Sequence, residues 1–144
     1  MPAPPLRIVY LGMTGPFSLL PLAALIRSRH TVAGRRHVLV TIGTHLPWMK
    51  DTMAGAAEAT ARALPGVEVH FSDGRVDRVT AARAEPPTRG GASDRAPNFH
   101  RLAYVSYARD LPHYALVVHH GGAGVMYHTL AAGLPSLVLP LDYD

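Results

Sequence analysis

The chain has 144 residues, of which 48% are apolar and 17% are charged, and it contains no cysteine. This composition indicates one globular domain and excludes a disulfide framework, a cysteine-ligated metal site and a cysteine nucleophile. The formal net charge is +4, and Lys50 is the one lysine among 14 basic residues. No apolar run is long enough to span a membrane and the first one is a poor secretory signal, so we expect a cytoplasmic protein.

Much of the basic charge lies between residues 75 and 109, where seven arginines are mixed with acidic residues. Single-stranded nucleic acids are bound by basic residues interleaved with stacking aromatic rings, and residues 75–95 lack that pattern. We therefore expect a solvated arginine-rich loop and no nucleic-acid partner.

Strand-like and helix-like stretches alternate along the chain. Apolar and β-branched runs predict strands at residues 6–11, 37–42, 67–71, 100–105, 115–119 and 136–139. Helices are predicted at residues 17–29, 53–64, 106–111 and 122–132, with Ser106 as the cap of the third. Proline and glycine pairs predict a long loop at about 73–98. Trp48, Met49 and Met53 are expected to pack in the core.

The repeated strand–helix–strand units predict an α/β fold, a Rossmann-like parallel sheet with helices on both faces. We expect a strand–helix segment at residues 1–34 and a nucleotide-sugar-binding domain at residues 37–144. The sequence stops directly after a predicted strand, where such a sheet normally adds a covering helix. The domain is therefore expected to be partial.

The most informative segment is the turn between the strand at 115–119 and the helix that follows. It reads His119-His120-Gly121-Gly122-Ala123-Gly124. The first N–H groups of a helix have no partner within the helix, and its dipole adds positive charge there. Glycines let a phosphate approach the backbone, and a histidine adds a donor. The turn predicts a phosphate site, with a purely structural turn as the alternative.

A metal site is a further alternative, since His119, His120 and His128 are close in sequence. No carboxylate accompanies them at the spacing of a zinc-binding helix motif, so we expect no metal.

Five short motifs, in order, resemble the donor-binding segment of GT-B glycosyltransferases of the UDP-glycosyltransferase and macrolide-glycosyltransferase type. They are Tyr104-Val-Ser-Tyr107, Leu111-Pro-His113, His120-Gly-Gly-Ala-Gly124, Leu130-Ala-Ala-Gly-Leu-Pro135 and Pro140-Leu-Asp-Tyr-Asp144. Upstream, His37-Val-Leu-Val-Thr-Ile-Gly-Thr44 is similar to the strand and loop that open this donor domain. Residues 37–144 thus resemble an incomplete GT-B donor domain.

The resemblance implies a role for each matching residue. The diphosphate would be held by the turn, namely by His120, Gly121, Gly122, Ala123, Gly124 and Val125, and Thr44 would face it from the first loop. Tyr104 would lie under the nucleobase, and Val105 would offer backbone groups to its edge. Asp144 would bind sugar hydroxyls. His128 stands where many members carry a ribose-binding glutamate.

The implied reaction moves a sugar from a nucleoside-diphosphate sugar, of the UDP or dTDP type, to the hydroxyl of a small-molecule acceptor without a cofactor. The general base would come from the acceptor half, most of which is absent, so the catalytic residue is unknown. We expect little activity from this chain alone unless a dimer or a partner supplies the missing domain. The alternative is a non-catalytic nucleotide- or phosphate-binding module, or an inactive fragment.

The first 34 residues carry a separate, weaker resemblance. Leu6-Arg-Ile-Val-Tyr-Leu-Gly-Met-Thr-Gly-Pro-Phe-Ser18 is similar to the start of methionyl-tRNA formyltransferases and to the first strand and helix of a GT-B acceptor domain. The catalytic residues of both families are absent, so we expect no formyl transfer.

Overall fold

Six parallel strands form the centre of the molecule. The computed structural model describes residues 9–10, 34–44, 46–74 and 95–139. Their strands are β1 (Val9–Tyr10), β2 (His37–Thr41), β3 (Glu68–Ser72), β4 (Phe99–Leu102), β5 (Leu116–His119) and β6 (Ser136–Val138). They form one sheet in the order β1-β6-β5-β2-β3-β4, and every neighbouring pair is parallel. The predicted parallel α/β architecture is confirmed.

Both faces of this sheet are covered by helices, as the sequence predicts. The helices are α1 (Lys50–Ala63), α2 (Tyr107–Asp110) and α3 (Ala123–Ala131), with short 3-10 helices at Pro47–Met49 and Leu111–His113. On one face, Met53 and Ala57 of α1 belong to the apolar cluster that contains Val40 and Phe71. On the other face, the cluster consists of Leu39, Val105, Leu111, Tyr114, Val117, Val125 and Leu134. No helix in the described part is long and apolar enough to cross a membrane.

The strand order creates a crevice at one edge of the sheet. From β2 the chain proceeds through α1 to β3 and then β4 on one side, whereas β5 returns to the other side of β2 and leads to β6. The loops that follow β2 and β5 therefore leave the sheet in opposite directions from adjacent carboxyl ends. Open α/β sheets bind ligands at such a reversal point.

Two predicted element boundaries are wrong for identifiable reasons. Helix α1 begins three residues earlier than predicted, and its first turn includes Asp51, whose negative charge suits the helix dipole. Strand β4 ends at Leu102, short of Val105, because its neighbour β3 ends at Ser72, the register partner of Leu102, and leaves the next residues no strand to pair with on that side. The predicted helix at 17–29 and most of the predicted loop at 73–98 lie outside the described residues.

Two side-chain predictions are also wrong. Ser106 occupies the N-cap position of α2, but its side chain makes no capping hydrogen bond; its backbone N–H instead donates to Asp110 Oδ2 at 3.0 Å. Met53 is buried as expected, whereas Trp48 is 68% exposed. Trp48 lies in the 3-10 helix ahead of α1, and none of the residues of that helix is buried.

Asn98, which directly precedes β4, closes the end of α1. Its Nδ2 lies 2.8 Å from the carbonyl oxygen of Ala61, 3.1 Å from that of Leu64 and 2.7 Å from that of Val67. The side chain is buried, so these carbonyl groups have little access to water. One amide thus adds donors to the carbonyl groups at the end of the helix and in the loop after it, two of which also accept a backbone N–H.

Replacing Asn98 by alanine should lower the free energy of unfolding by about 1–3 kcal/mol, because buried carbonyl groups lose a donor. Asn98→Asp should cost more, since a carboxylate would face the same carbonyl oxygens. Urea unfolding measures both. The control is Arg62→Ala, which removes an exposed pair with Glu58 and should change stability by less than about 0.5 kcal/mol. Equal stability of Asn98→Ala and the control would contradict this assignment.

Candidate functional site

The turn after β5 leaves its backbone amides open at the carboxyl edge of the sheet. Gly121 has a φ of 104°, which favours glycine, and Gly122 is the N-cap of α3. Among the residues that the structure describes, no side chain makes a capping hydrogen bond to this helix end. Ala123 and Gly124, in the first turn, are exposed. The amides at the start of α3 are therefore accessible from the crevice.

The ring of His120 lies between the loops that follow β2 and β5. A methyl group added at Gly122 would lie 2.7 Å from both Cε1 and Nε2 of the ring, and one added at Gly43 would lie 3.2 Å from Cε1. His120 is only 4% exposed because both glycine-bearing loops pack against it. The glycines are thus required for packing around the imidazole.

His119, the last residue of β5, supports this turn from inside the sheet. The N–H of Gly121 donates to Nδ1 of His119 at 3.1 Å, so the neutral ring carries its proton on Nε2. Nε2 is buried and has no hydrogen-bond partner among the residues that the structure describes. Burial, with a smaller contribution from neighbouring His120, lowers the pKa of His119 to about 4.

Tyr107, at the start of α2, connects the end of β2 with α3. Its hydroxyl lies 3.0 Å from Oγ1 of Thr41, which also accepts the N–H of Gly43 at 3.3 Å. The Tyr107 ring is 6.2 Å from that of His128 on α3, measured between centroids. Burial raises the pKa of the phenol, which therefore remains a neutral hydrogen-bonding group.

The structure brings most of the expected phosphate-site residues together. Its turn holds the whole predicted group, namely His120, Gly121, Gly122, Ala123, Gly124 and Val125. Thr44 is exposed on the loop after β2, directly after Gly43, which packs against the His120 ring. These two loops form one continuous edge of the crevice.

The residues expected around the nucleobase and the ribose lie in the segment between β4 and α2 and on α3. Tyr104 is 46% exposed and is close enough to Tyr107 to raise the pKa of that phenol slightly, whereas the side chain of Val105 is buried. His128 is half-buried beside Tyr107. Asp144 lies outside the described residues.

Two residues of this edge were not among the predicted site residues. Tyr107 appears in the sequence motif but without an assigned role, although its hydroxyl joins two elements. Lys50 is buried and hydrogen-bonded to the loops after β2 and β3. The one available sequence signal is that Lys50 is the single lysine in a chain whose other basic residues are arginines.

Neither a metal centre nor a deep cavity competes with this crevice in the described part. No group of three or more histidine or acidic residues there could hold a metal ion. An open depression of about 470 Å³ lies where the chain enters β3 and β4, and its lining includes Glu68 and Asn98. It is therefore at the amino edge of the sheet, away from the histidine turn.

The low pKa of His119 predicts acid sensitivity. In the unfolded chain this histidine binds a proton near pH 6.5, whereas the folded protein resists protonation until about pH 4. The contribution of neutral His119 to the free energy of unfolding is therefore fully present above pH 6.5. It decreases as the pH falls toward 4, by about 3 kcal/mol in all. His119→Asn should show a shallower decrease between pH 7 and pH 4 in urea unfolding. The exposed His100→Asn variant should keep the wild-type slope, and identical slopes in all three proteins would contradict the prediction.

Comparison with known proteins identifies relatives along the chain, although no protein-family model matches it. The elloramycin glycosyltransferase ElmGT of Streptomyces olivaceus is 35% identical over 127 residues, which cover 85% of this chain and 30% of that protein. The tylactone mycaminosyltransferase of Streptomyces fradiae is 29% identical over 147 aligned residues, with 96% of this chain and 29% of that protein covered. The chain thus spans less than a third of the length of these curated relatives.

A solved structure shares the fold. The glycotransferase of kitacinnamycin superposes with a TM-score of 0.55 at 24% identity, covering 78% of this chain and 27% of the other. The strand order and the covered faces described above belong to this shared architecture. Over most of its length, the chain is thus similar in sequence to two glycosyltransferases and shares its fold with a third.

Proposed function

We propose that this chain is the donor-binding part of a glycosyltransferase that moves a sugar from a nucleoside-diphosphate sugar to the hydroxyl of a small-molecule acceptor. The observation that carries the proposal is the open N-terminus of α3, which lies at the carboxyl edge of the sheet where the strand order reverses. Ligands of open α/β sheets occupy this place. The glycosyltransferase relatives support the choice of a sugar nucleotide.

The chemistry expected of this turn is stabilisation of the leaving diphosphate. As the bond between sugar and phosphate breaks, negative charge develops on the diphosphate oxygens. Backbone N–H groups from Gly122 to Val125 and the dipole of α3 would meet that charge without a metal or cofactor. The imidazole of His120 lies directly behind these amides, and Thr44 adds a hydroxyl from the opposite loop.

The nucleobase would lie on the side of α2. Tyr104 exposes part of its ring for stacking, and Val105 has a buried side chain, which leaves its backbone groups to meet the base edge. His128 would face the ribose in place of the more common glutamate, and Asp144 would contact the sugar hydroxyls. We propose a donor of the UDP or dTDP type.

The acceptor and the general base belong to the part of the relatives that this chain does not cover. We propose that the purified chain binds the nucleotide and transfers little sugar by itself, so that a second domain, a dimer or another chain completes the reaction. The division of the chain into a segment at residues 1–34 and a domain at residues 37–144 stays a prediction, as does the cytoplasmic location of the protein.

Calorimetric titration of the purified chain with UDP, dTDP and inorganic pyrophosphate tests the proposal. We expect UDP or dTDP to bind more tightly than pyrophosphate, because the base adds contacts near Tyr104. His120→Ala should weaken nucleotide binding by about tenfold or more, as the loss of a hydrogen bond to a charged group implies. Binding of none of the three ligands would refute the proposal and favour an inactive fragment.

Two glycine substitutions provide a matched pair, one on the turn and one on α1. Gly122→Ala would place a methyl group 2.7 Å from the His120 ring and should weaken nucleotide binding, since the ring must move. Gly55→Ala adds a methyl group to open space on the exposed side of α1 and should leave affinity within about twofold while stabilising that helix slightly. Equal affinities of the two variants in the same titration would show that the packing around His120 does not matter for binding.

A further inference from the structure

Lys50 is buried at the start of α1, at the same edge of the sheet as the histidine turn. It is 6% exposed, and its ammonium group donates to the carbonyl oxygen of Gly43 at 3.4 Å and to that of Asp73. Gly43 follows β2 and Asp73 follows β3. A single side chain thus holds the loops after two adjacent strands.

The surroundings of Lys50 leave these loops little freedom. A methyl group on Gly74 would overlap the carbonyl group of Gly43, so the two loops are in close contact. The Asp73 carboxylate accepts hydrogen bonds from Arg101 at 2.8–3.2 Å, and Arg101 also reaches Asp51 at 3.1 Å. The ends of β2, β3 and β4 are therefore tied to the first turn of α1.

Burial of an ammonium group is unfavourable unless its donors are satisfied, so apolar residues would serve better if packing alone were needed. What Lys50 supplies is a set of hydrogen-bond donors with a positive charge. The two hydrogen bonds described above go to backbone carbonyl groups, so they fix the path of the main chain.

This main-chain path bears directly on His120. Gly43, whose carbonyl group accepts from Lys50, has a φ of 67° and packs against Cε1 of the His120 ring. Through this contact, Lys50 supports the packing of the imidazole ring against Gly43.

We propose that Lys50 is a positioning residue of the diphosphate site: by holding Gly43 it fixes the packing of the His120 ring against the loop after β2. The inference rests on the proposed donor-binding function. Without Lys50, the loop after β2 is no longer hydrogen-bonded to the side chain that also binds the loop after β3. The packing of Gly43 against the His120 ring is then no longer held in place.

The test compares Lys50→Met, which keeps the volume and removes the donors, with Arg62→Met on the exposed side of the same helix. The first measurement is the set of imidazole nitrogen signals by NMR without nucleotide, with those of His120 assigned by their loss in His120→Ala. The second is UDP affinity by calorimetry, and the third is urea unfolding.

We expect Lys50→Met to shift the His120 signals and to weaken UDP binding by about tenfold, as for a lost charged hydrogen bond. Arg62→Met should do neither. Unshifted His120 signals in a folded Lys50→Met protein, with affinity equal to that of the control, would overturn the inference.

Two further outcomes are decided by the same measurements. If Lys50→Met does not fold, Lys50→Gln takes its place, because it is shorter than lysine and carries no charge. It should also shift the His120 signals and weaken UDP binding, and unshifted signals with unchanged affinity would overturn the inference. If wild-type protein binds no UDP, the proposed function fails, and the His120 signals alone decide whether Lys50 positions the ring.

Discussion

The carboxyl edge of the sheet depends on one contact, the packing of the His120 ring between Gly43 and Gly122. Neither glycine has a side chain, and the His120 ring lies where one would be. Each glycine belongs to a loop that follows a different strand. Because β2 and β5 are hydrogen-bonded in register, their loops start at the same height and meet over one ring. Every further contact at this edge acts through one of these loops.

Polar groups reinforce the contact from three directions. His119 accepts the N–H of Gly121 from within β5, Thr41 accepts the N–H of Gly43 at the end of β2, and Lys50 holds the Gly43 carbonyl group. Each of these side chains is buried, so each hydrogen bond forms in a region of low polarity, where the loss of a partner is costly. Backbone position is thus controlled by buried side chains, while the first turn of α3 remains open toward the crevice.

The sequence predicts the sheet well because buried parallel strands are continuous apolar runs, and those at β2 and β5 are each followed two residues later by a glycine. The histidine turn is also predictable, since glycine spacing and helix capping follow local rules. Boundaries are less predictable: Val105 continues the apolar run after β4, but β3 ends at Ser72 and leaves it no strand partner on that side. Whether an apolar residue extends a strand or leaves it is decided by tertiary packing, which no local pattern contains.

The side chains that hold the edge together are harder to predict for the same reason. Lys50 and Gly43 are seven residues apart, but Lys50 and Asp73 are separated by 23 residues, and Thr41 and Tyr107 by 66. A lysine at the start of a helix is normally exposed to solvent, whereas Lys50 is buried. A tryptophan is normally buried in large part, whereas Trp48 is exposed. The register of the sheet decides which of these side chains meet and which remain exposed to solvent.

The single lysine has a chemical consequence for the surface. Every other cationic side chain is a guanidinium or an imidazole, and Lys50 is enclosed by the fold. Reagents and enzymes that acylate amines find no lysine on the outside to neutralise, so the exterior keeps its guanidinium charge at all ordinary pH values. Acylation of Lys50 would require the edge of the sheet to open first, which makes that amine an internal reporter of local unfolding.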